Sequence, residues 1–125
     1  MVILFSLIYG SFSKKTTGEQ LQAVYNQIQL LNTDLSCQSS SDCFVQPTGA
    51  RTCGGPNGYL ILSHLNKQVT TIIQLAKQTE TLEQQYNQQT HIISICSIAI
   101  PPTVSCTNQQ CVKSTQGLFQ PVLPV

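Results

Sequence analysis

Thr48-Gly49-Ala50-Arg51-Thr52-Cys53-Gly54-Gly55-Pro56-Asn57-Gly58 packs four glycines, a proline and a cysteine into eleven residues. No helix survives such a run, because glycine surrenders backbone entropy and proline lacks an N–H. Outward from this break, the chain is periodic on both sides. Upstream, Leu21, Val24, Ile28, Leu31 and Leu35 recur every three or four residues across 14–36, and Tyr25 and Leu30 widen the stripe. Thr16 or Thr17 can cap that helix, Glu19 suits its first turn, and the turn formers after Ser36 should end it. Downstream, Leu65, Val69, Ile72, Ala76, Thr79, Leu82, Tyr86 and Thr90 mark one face of residues 64–91, beside Ile73 and Leu75. Ser63 or Asn66 is the expected cap there.

Between and after the helices the pattern turns to β. Cys43-Phe-Val-Gln46 reads as a short strand stopped by Pro47, and Asp42 to Ser63 otherwise as extended and loop-rich. Ile92 to Ile100 is β-branched and alternating, and Pro101-Pro102 closes it. Thr103–Cys106 and Cys111–Lys113 form two arms about Thr107-Asn-Gln-Gln110. The expectation is an α+β domain: two amphipathic helices packed on a small antiparallel sheet of residues 43–46, 93–99, 103–106 and 110–113, stapled by disulfides.

Organisation follows from the ends. Met1 to Tyr9 is apolar, and Ser11-Phe-Ser13 then supplies small residues before Lys14-Lys15. Residues 1–13 therefore read as a signal peptide, although no basic residue precedes the apolar run. Residues 14–113 read as one domain and 114–125 as a flexible tail. The apolar run stops well short of the roughly 20 residues that span a bilayer, so no membrane span is expected in the mature chain.

Charge is scarce: six Lys+Arg against five Asp+Glu, 9% of the chain, for a formal net charge of +1. That leaves no electrostatic footprint for nucleic acid or an anionic membrane. Seventeen Gln and thirteen Thr must carry solubility instead. Cysteines stand at 37, 43, 53, 96, 106 and 111, an even number in an apparently exported chain. They read as three disulfides, with fifteen connectivities open. Structural zinc takes cysteine pairs two to four residues apart. Only Cys106-x4-Cys111 comes near, and His64 and His91 lie outside the cysteine clusters, so disulfides are the stronger reading.

Ser41-Asp-Cys43 followed by Gly49-x-x-x-Cys53-Gly-Gly-Pro56-x-x-Tyr59-Leu-x-x-Ser63 resembles a group of small exported Cys-rich bacterial proteins with a G-x-x-x-C-G-G-P-x-x-Y signature. Glu83-Gln-Gln-Tyr86-Asn87, Ser94-Ile-Cys96, Pro101-Pro102 and Cys106…Cys111-Val112 are also similar to that group. The resemblance covers about residues 36–113. It implies an exported, disulfide-bonded domain of bacterial origin and carries over no catalytic residue.

Catalytic constellations are thin. A thiolate nucleophile would have to be Cys53 beside His64 or His91, and disulfide formation consumes it. Glu80 and Glu83 lie three apart on a helix, where a solvated face is the expected role. The Gly54–Gly58 loop lacks the Gly-Lys-Ser/Thr ending of a phosphate loop. His64 and His91 bracket the long helix as end groups. No cofactor and no metal is implied. The sharper candidate is the loop itself: Gly49, Ala50, Arg51, Thr52, Gly54, Gly55, Pro56, Asn57 and Tyr59 are the expected binding residues. Gly49–Thr52 would be presented to a partner such as a trypsin-like protease with an acidic pocket. The expected protein is thus a secreted or periplasmic, non-enzymatic binding module with a protein partner, protease inhibition through the 47–58 loop being its most specific form. The rival is a structural or envelope protein that interacts through Gln/Thr-rich helix faces, with the loop only a clasp.

Overall fold

A computed structural model describes residues 15–91 and 100–114. The chain order is helix α1 (Thr17–Leu31), a 3-10 turn (Ser40–Asp42), strands β1 (Cys43–Thr48) and β2 (Gly58–Ser63), helix α2 (Val69–Thr90), and strands β3 (Val104–Thr107) and β4 (Gln110–Lys113). The class is α+β, as the periodicities predict. Among the described residues the strands pair as two antiparallel hairpins, β1–β2 and β3–β4, rather than as one continuous sheet. The expected strand over 93–99, Cys96, the segment 1–13 and nearly all of the tail lie outside the described residues.

The β1–β2 hairpin is the middle layer, and its alternation explains the rest. In a strand successive side chains point to opposite faces. Phe44 pairs with Leu62, and Leu62, fully buried, joins Ile28, Ile72 and Leu75 in the core, flanked by Phe44, Leu60, Val24, Tyr25 and Val69. One position along, Cys43 and Ile61 point the other way, into a second cluster with Cys37, Cys111, Leu35, Val104 and Cys106. The helical pair thus covers one face of the hairpin and a sulfur-rich layer the other. Gly58–Ser63 reads as loop in the sequence because glycines precede it, yet Tyr59-Leu-Ile-Leu supplies the partner that β1 needs. Pro47 does not stop β1, which pairs through Thr48; a strand with one open edge tolerates a residue lacking N–H.

Both helices are shorter than their apolar periods. α1 begins with a capping box, Thr16 Oγ1 accepting from Glu19 N–H and Glu19 accepting from Thr16 N–H. It ends at Leu31 rather than Ser36, because the side chains that follow serve other elements. Asn32 Nδ2 donates to Ile61 O, and Asp34 accepts from the N–H and hydroxyl of Ser36. Leu35 consequently packs on the sulfur layer, and Leu30 is 77% exposed instead of widening the stripe. α2 starts at Val69, not His64, because Ser63–Asn66 is a turn that leaves Leu65 partly exposed. Buried Asn66 serves both helices: its Nδ2 donates to Leu31 O at the end of α1 and its Oδ1 accepts Gln68 N–H ahead of α2. His64 stacks on Phe44 at 4.2 Å between centroids, and His91 ends α2 in the left-handed region.

Cys37 bonds to Cys106 and Cys43 to Cys111. Cys106 and Cys111 are cross-strand partners on β3 and β4, so the two bridges leave one hairpin side by side. Backbone contacts reinforce them: Cys37 N–H donates to Gln109 O, Cys111 N–H to Leu35 O, and Ser36 bridges to Gln110. Cys53 is also disulfide-bonded, and no described cysteine is a free thiol.

These bridges span 69 and 68 residues, nearly the same loop. Either one alone restricts the unfolded chain by about 4 kcal/mol, but the second then closes a ring of only about 13 residues and adds about 3 kcal/mol. Replacing one pair by alanines should therefore cost roughly 3 kcal/mol in denaturant melts, whichever pair is chosen, and replacing both roughly 7 kcal/mol. Equal steps of 4 kcal/mol would contradict the shared loop.

Acid behaviour follows from Asp42. Its Oδ2 accepts the backbone N–H groups of Gln38 and Ser39, which, with a smaller contribution from nearby His64, hold the carboxyl below the ordinary Asp value. A depressed folded value means stability that is complete above the unfolded pKa and lost as pH falls through the folded one. Asp42→Asn should lower Tm at neutral pH, and its gap to wild type should close in acid. A gap that stays constant across that range would refute the linkage.

Candidate functional site

Each end of the 49–57 loop is fixed to α2 by a line of polar side chains on one helical ridge. Thr79, Glu83 and Asn87 are spaced by four, so they stack along one face of the helix. Thr79 Oγ1 accepts Gly49 N–H at 2.9 Å, Glu83 Oε1 accepts Ala50 N–H at 2.7 Å, and Asn87 Nδ2 donates to Ala50 O at 3.0 Å. The same carboxylate accepts Asn57 Nδ2 from the returning arm, with Oε1 at 3.1 Å and Oε2 at 3.2 Å. Asn57 N–H closes the neck on Thr48 O at 2.8 Å. One glutamate therefore joins both arms of the loop to the helix beneath.

Gly49 is what lets the loop come so close. Its φ is +70°, and a Cβ there would collide with Glu83 Oε1, the Cβ of Asn57 and the Tyr25 hydroxyl. The glycine is required twice over, by backbone conformation and by space. At the tip, Gly54 N–H donates to Arg51 O and Arg51 N–H to Gly55 O, folding Arg51–Gly55 into a tight turn. Gly54 and Gly55 have φ of +100° and +82°, and a Cβ at either would meet nothing within 4 Å among the described residues. Gly58, by contrast, needs no positive φ.

This arrangement divides the expected binding residues. Gly49 and Ala50 are buried and form the root, so they are not presented as the sequence suggests. Arg51, Pro56 and Tyr59 are half-buried. Thr52, Cys53, Gly54, Gly55 and Asn57 are exposed, and the amide of Asn57 is engaged by Glu83. The exposed surface at the tip is Thr52–Gly55. Beneath it a cleft of about 300 Å³ is lined by Gln46, Pro47, Gly49, Gly55, Pro56, Ala76, Lys77 and Glu80. A second, shallower groove between the helices is lined by Gln20, Val24, Gln74, Lys77, Thr81 and Leu82.

Glu83 is the residue that sequence reasoning misplaces. It is half-buried under the loop rather than on a solvated face. The signal was present: Thr79-x3-Glu83-x3-Asn87 continues the buried line of Ile72 and Ala76 with polar residues, and polar groups on a core-facing ridge need partners. Cys53 cannot be a nucleophile while it is disulfide-bonded. Among the described residues no helix is long and apolar enough to cross a membrane. Comparison with models of protein families, with curated proteins and with solved structures finds no match to this chain.

Glu83→Gln keeps one acceptor and loses the charge-assisted bonds, whereas Glu83→Ala orphans Ala50 N–H and the Asn57 amide. The expected costs are about 1 and about 2–3 kcal/mol. Amide exchange at Ala50 should speed up in both variants while that at Leu62 follows global stability. Unchanged protection at Ala50 in Glu83→Ala would dismiss the anchor.

Proposed function

We propose that this protein is an exported binding module that meets a protein partner through the turn Arg51–Gly55, and that it works by recognition rather than catalysis. The observation that carries the reading is the anchoring of the loop root by Thr79, Glu83 and Asn87, with Cys53 covalently tied at the tip. Such rigidity has little value in a clasp whose tip is exposed, but it reduces the ordering cost of association, which for a loose loop reaches about 1 kcal/mol per side chain. Disulfides and the lack of a membrane-length helix among the described residues are compatible with an extracellular or periplasmic setting.

The shape of the tip refines the partner. An inhibitor that mimics an extended substrate offers the N–H and C=O of its specificity residue to the protease, as in strand addition. Here both groups of Arg51 are spent within the turn. A turn-shaped epitope fits this geometry better, and protease inhibition through Arg51, the more specific form, would require the turn to open. The envelope reading, in which Gln/Thr-rich helix faces meet the partner, would be favoured by an exposed apolar stripe. The large apolar side chains exposed among the described residues, Leu30, Leu65, Ile100 and Val112, instead lie apart on different elements.

Two measurements test the reading. A photo-crosslinking side chain at exposed Thr52 should trap a protein from the exported fraction that the same group at exposed Lys67 does not; identical patterns would remove the loop from the interface. In parallel, inhibition of trypsin-like and papain-like proteases should vanish in Arg51→Ala. Absence of inhibition by the intact protein at micromolar excess would eliminate the protease variant.

A further inference from the structure

Beyond the loop, the second chemical concentration in the molecule is the sulfur layer between the two hairpins. Cys37, Cys43 and Cys111 are buried, and their Sγ atoms all lie within 4.8 Å of one another. Cys106, bonded to Cys37, adds a fourth sulfur at the edge of this group, farther than 4.8 Å from at least one of the other sulfurs. Zinc held by four thiolates at about 2.3 Å sets its sulfurs roughly 3.8 Å apart, so once the S–S bonds are reduced the bonded sulfurs must separate and the Cys106 side chain must turn inward to complete a tetrahedral donor set. The sequence disfavours zinc because Cys106-x4-Cys111 lacks a second close pair. The fold supplies one, Cys37 and Cys43, on the segment that faces the hairpin.

We infer that, once its two disulfides are reduced, the layer Cys37, Cys43, Cys106 and Cys111 is a binding site for a thiophilic divalent metal of zinc's class. The scaffold does not depend on the S–S bonds alone. Cys37 N–H to Gln109 O, Cys111 N–H to Leu35 O, Cys106 N–H to Ser40 Oγ and the Ser36–Gln110 bridge hold the two segments together through main chain and a hydroxyl. The β3–β4 register keeps Cys106 and Cys111 directly opposite each other. Each disulfide accepts two electrons and two protons from a dithiol, which leaves as its cyclic disulfide. The four thiols then lose four protons to water as one divalent ion binds, giving a tetrathiolate centre of charge −2. Oxidised, the chain is closed by sulfur; reduced, the same four atoms close it through a metal. This reading is independent of the loop and its partner.

The test uses the full chain, reduced with a dithiol that is then removed under argon, and Co(II) as the probe. One Co(II) per chain should give the visible bands of a tetrahedral tetrathiolate, and Zn(II) should bleach them. Cys53→Ser/Cys96→Ser, which leaves only the four cysteines of the layer, should keep the bands, and Cys43→Ser/Cys111→Ser should lose them. Added Zn(II) should also slow amide exchange at Cys37 and Cys111 in the reduced chain, a readout that a metal held by an unfolded chain would not give. No cobalt band, a band undiminished in Cys43→Ser/Cys111→Ser, loss of the band in Cys53→Ser/Cys96→Ser, or exchange unaffected by zinc would each overturn the inference.

Discussion

Cys106 and Cys111 face each other across a hairpin, and from that single register two covalent bonds reach back to Cys37 and Cys43. Everything else in the architecture sits downstream of this constraint. A chain of this length builds only a modest core, here Ile28, Leu62, Ile72 and Leu75 with their neighbours. The β1–β2 hairpin alone would be marginal, since two strands do not suffice in water. It persists because both faces are covered, one by the helices and one by sulfur. The bridges anchor the hairpin's start, at Cys43, to a segment more than sixty residues later.

With the hairpin fixed, the loop between its strands inherits a rigid base. The neck is set by the pairing of Thr48 with Gly58, and the root lies on α2 through Thr79, Glu83 and Asn87. The same helix fills the core with Ile72, Leu75 and Ala76 one or two turns earlier. Core and loop are thus read by successive turns of one ridge. Slippage of α2 along the hairpin would cost the apolar contacts and the loop anchors together, so the site has the positional precision of the core.

The parts of this fold legible in the sequence are those dictated by side-chain period. Ile28, Ile72, Ala76 and Thr79 fall where the stripes place them, and the hairpin about residues 108–109 lies inside the predicted arms. The illegible parts are those settled by side-chain-to-backbone bonds over long separations. Asn32 to Ile61 and Asn66 to Leu31 trim the helices by several residues, and no local propensity announces either contact. The strand Gly58–Ser63 was hidden by its glycine-rich approach. At the site, the loop was visible from composition, but its anchor was not. Glu83 carries no local mark of burial, and only the polar continuation of an apolar ridge hints that something must lie upon it.

That ridge illustrates how the chain uses its acids. Of the five Asp and Glu in the sequence, four accept backbone N–H groups: Glu19 from Thr16, Asp34 from Ser36, Asp42 from Gln38 and Ser39, and Glu83 from Ala50. Each holds a place where the main chain changes direction, at a helix start, at two turns and at the loop root. A charged acceptor makes a stronger bond than an amide, and glutamine or asparagine would weaken each of these corners. Solubility is left to Gln and Thr, which do not compete for those N–H groups as ions. The thin charge of this protein is therefore a matter of placement: carboxylates stand where the backbone bends. The fifth, Glu80, instead lines the cleft beneath the loop with Lys77.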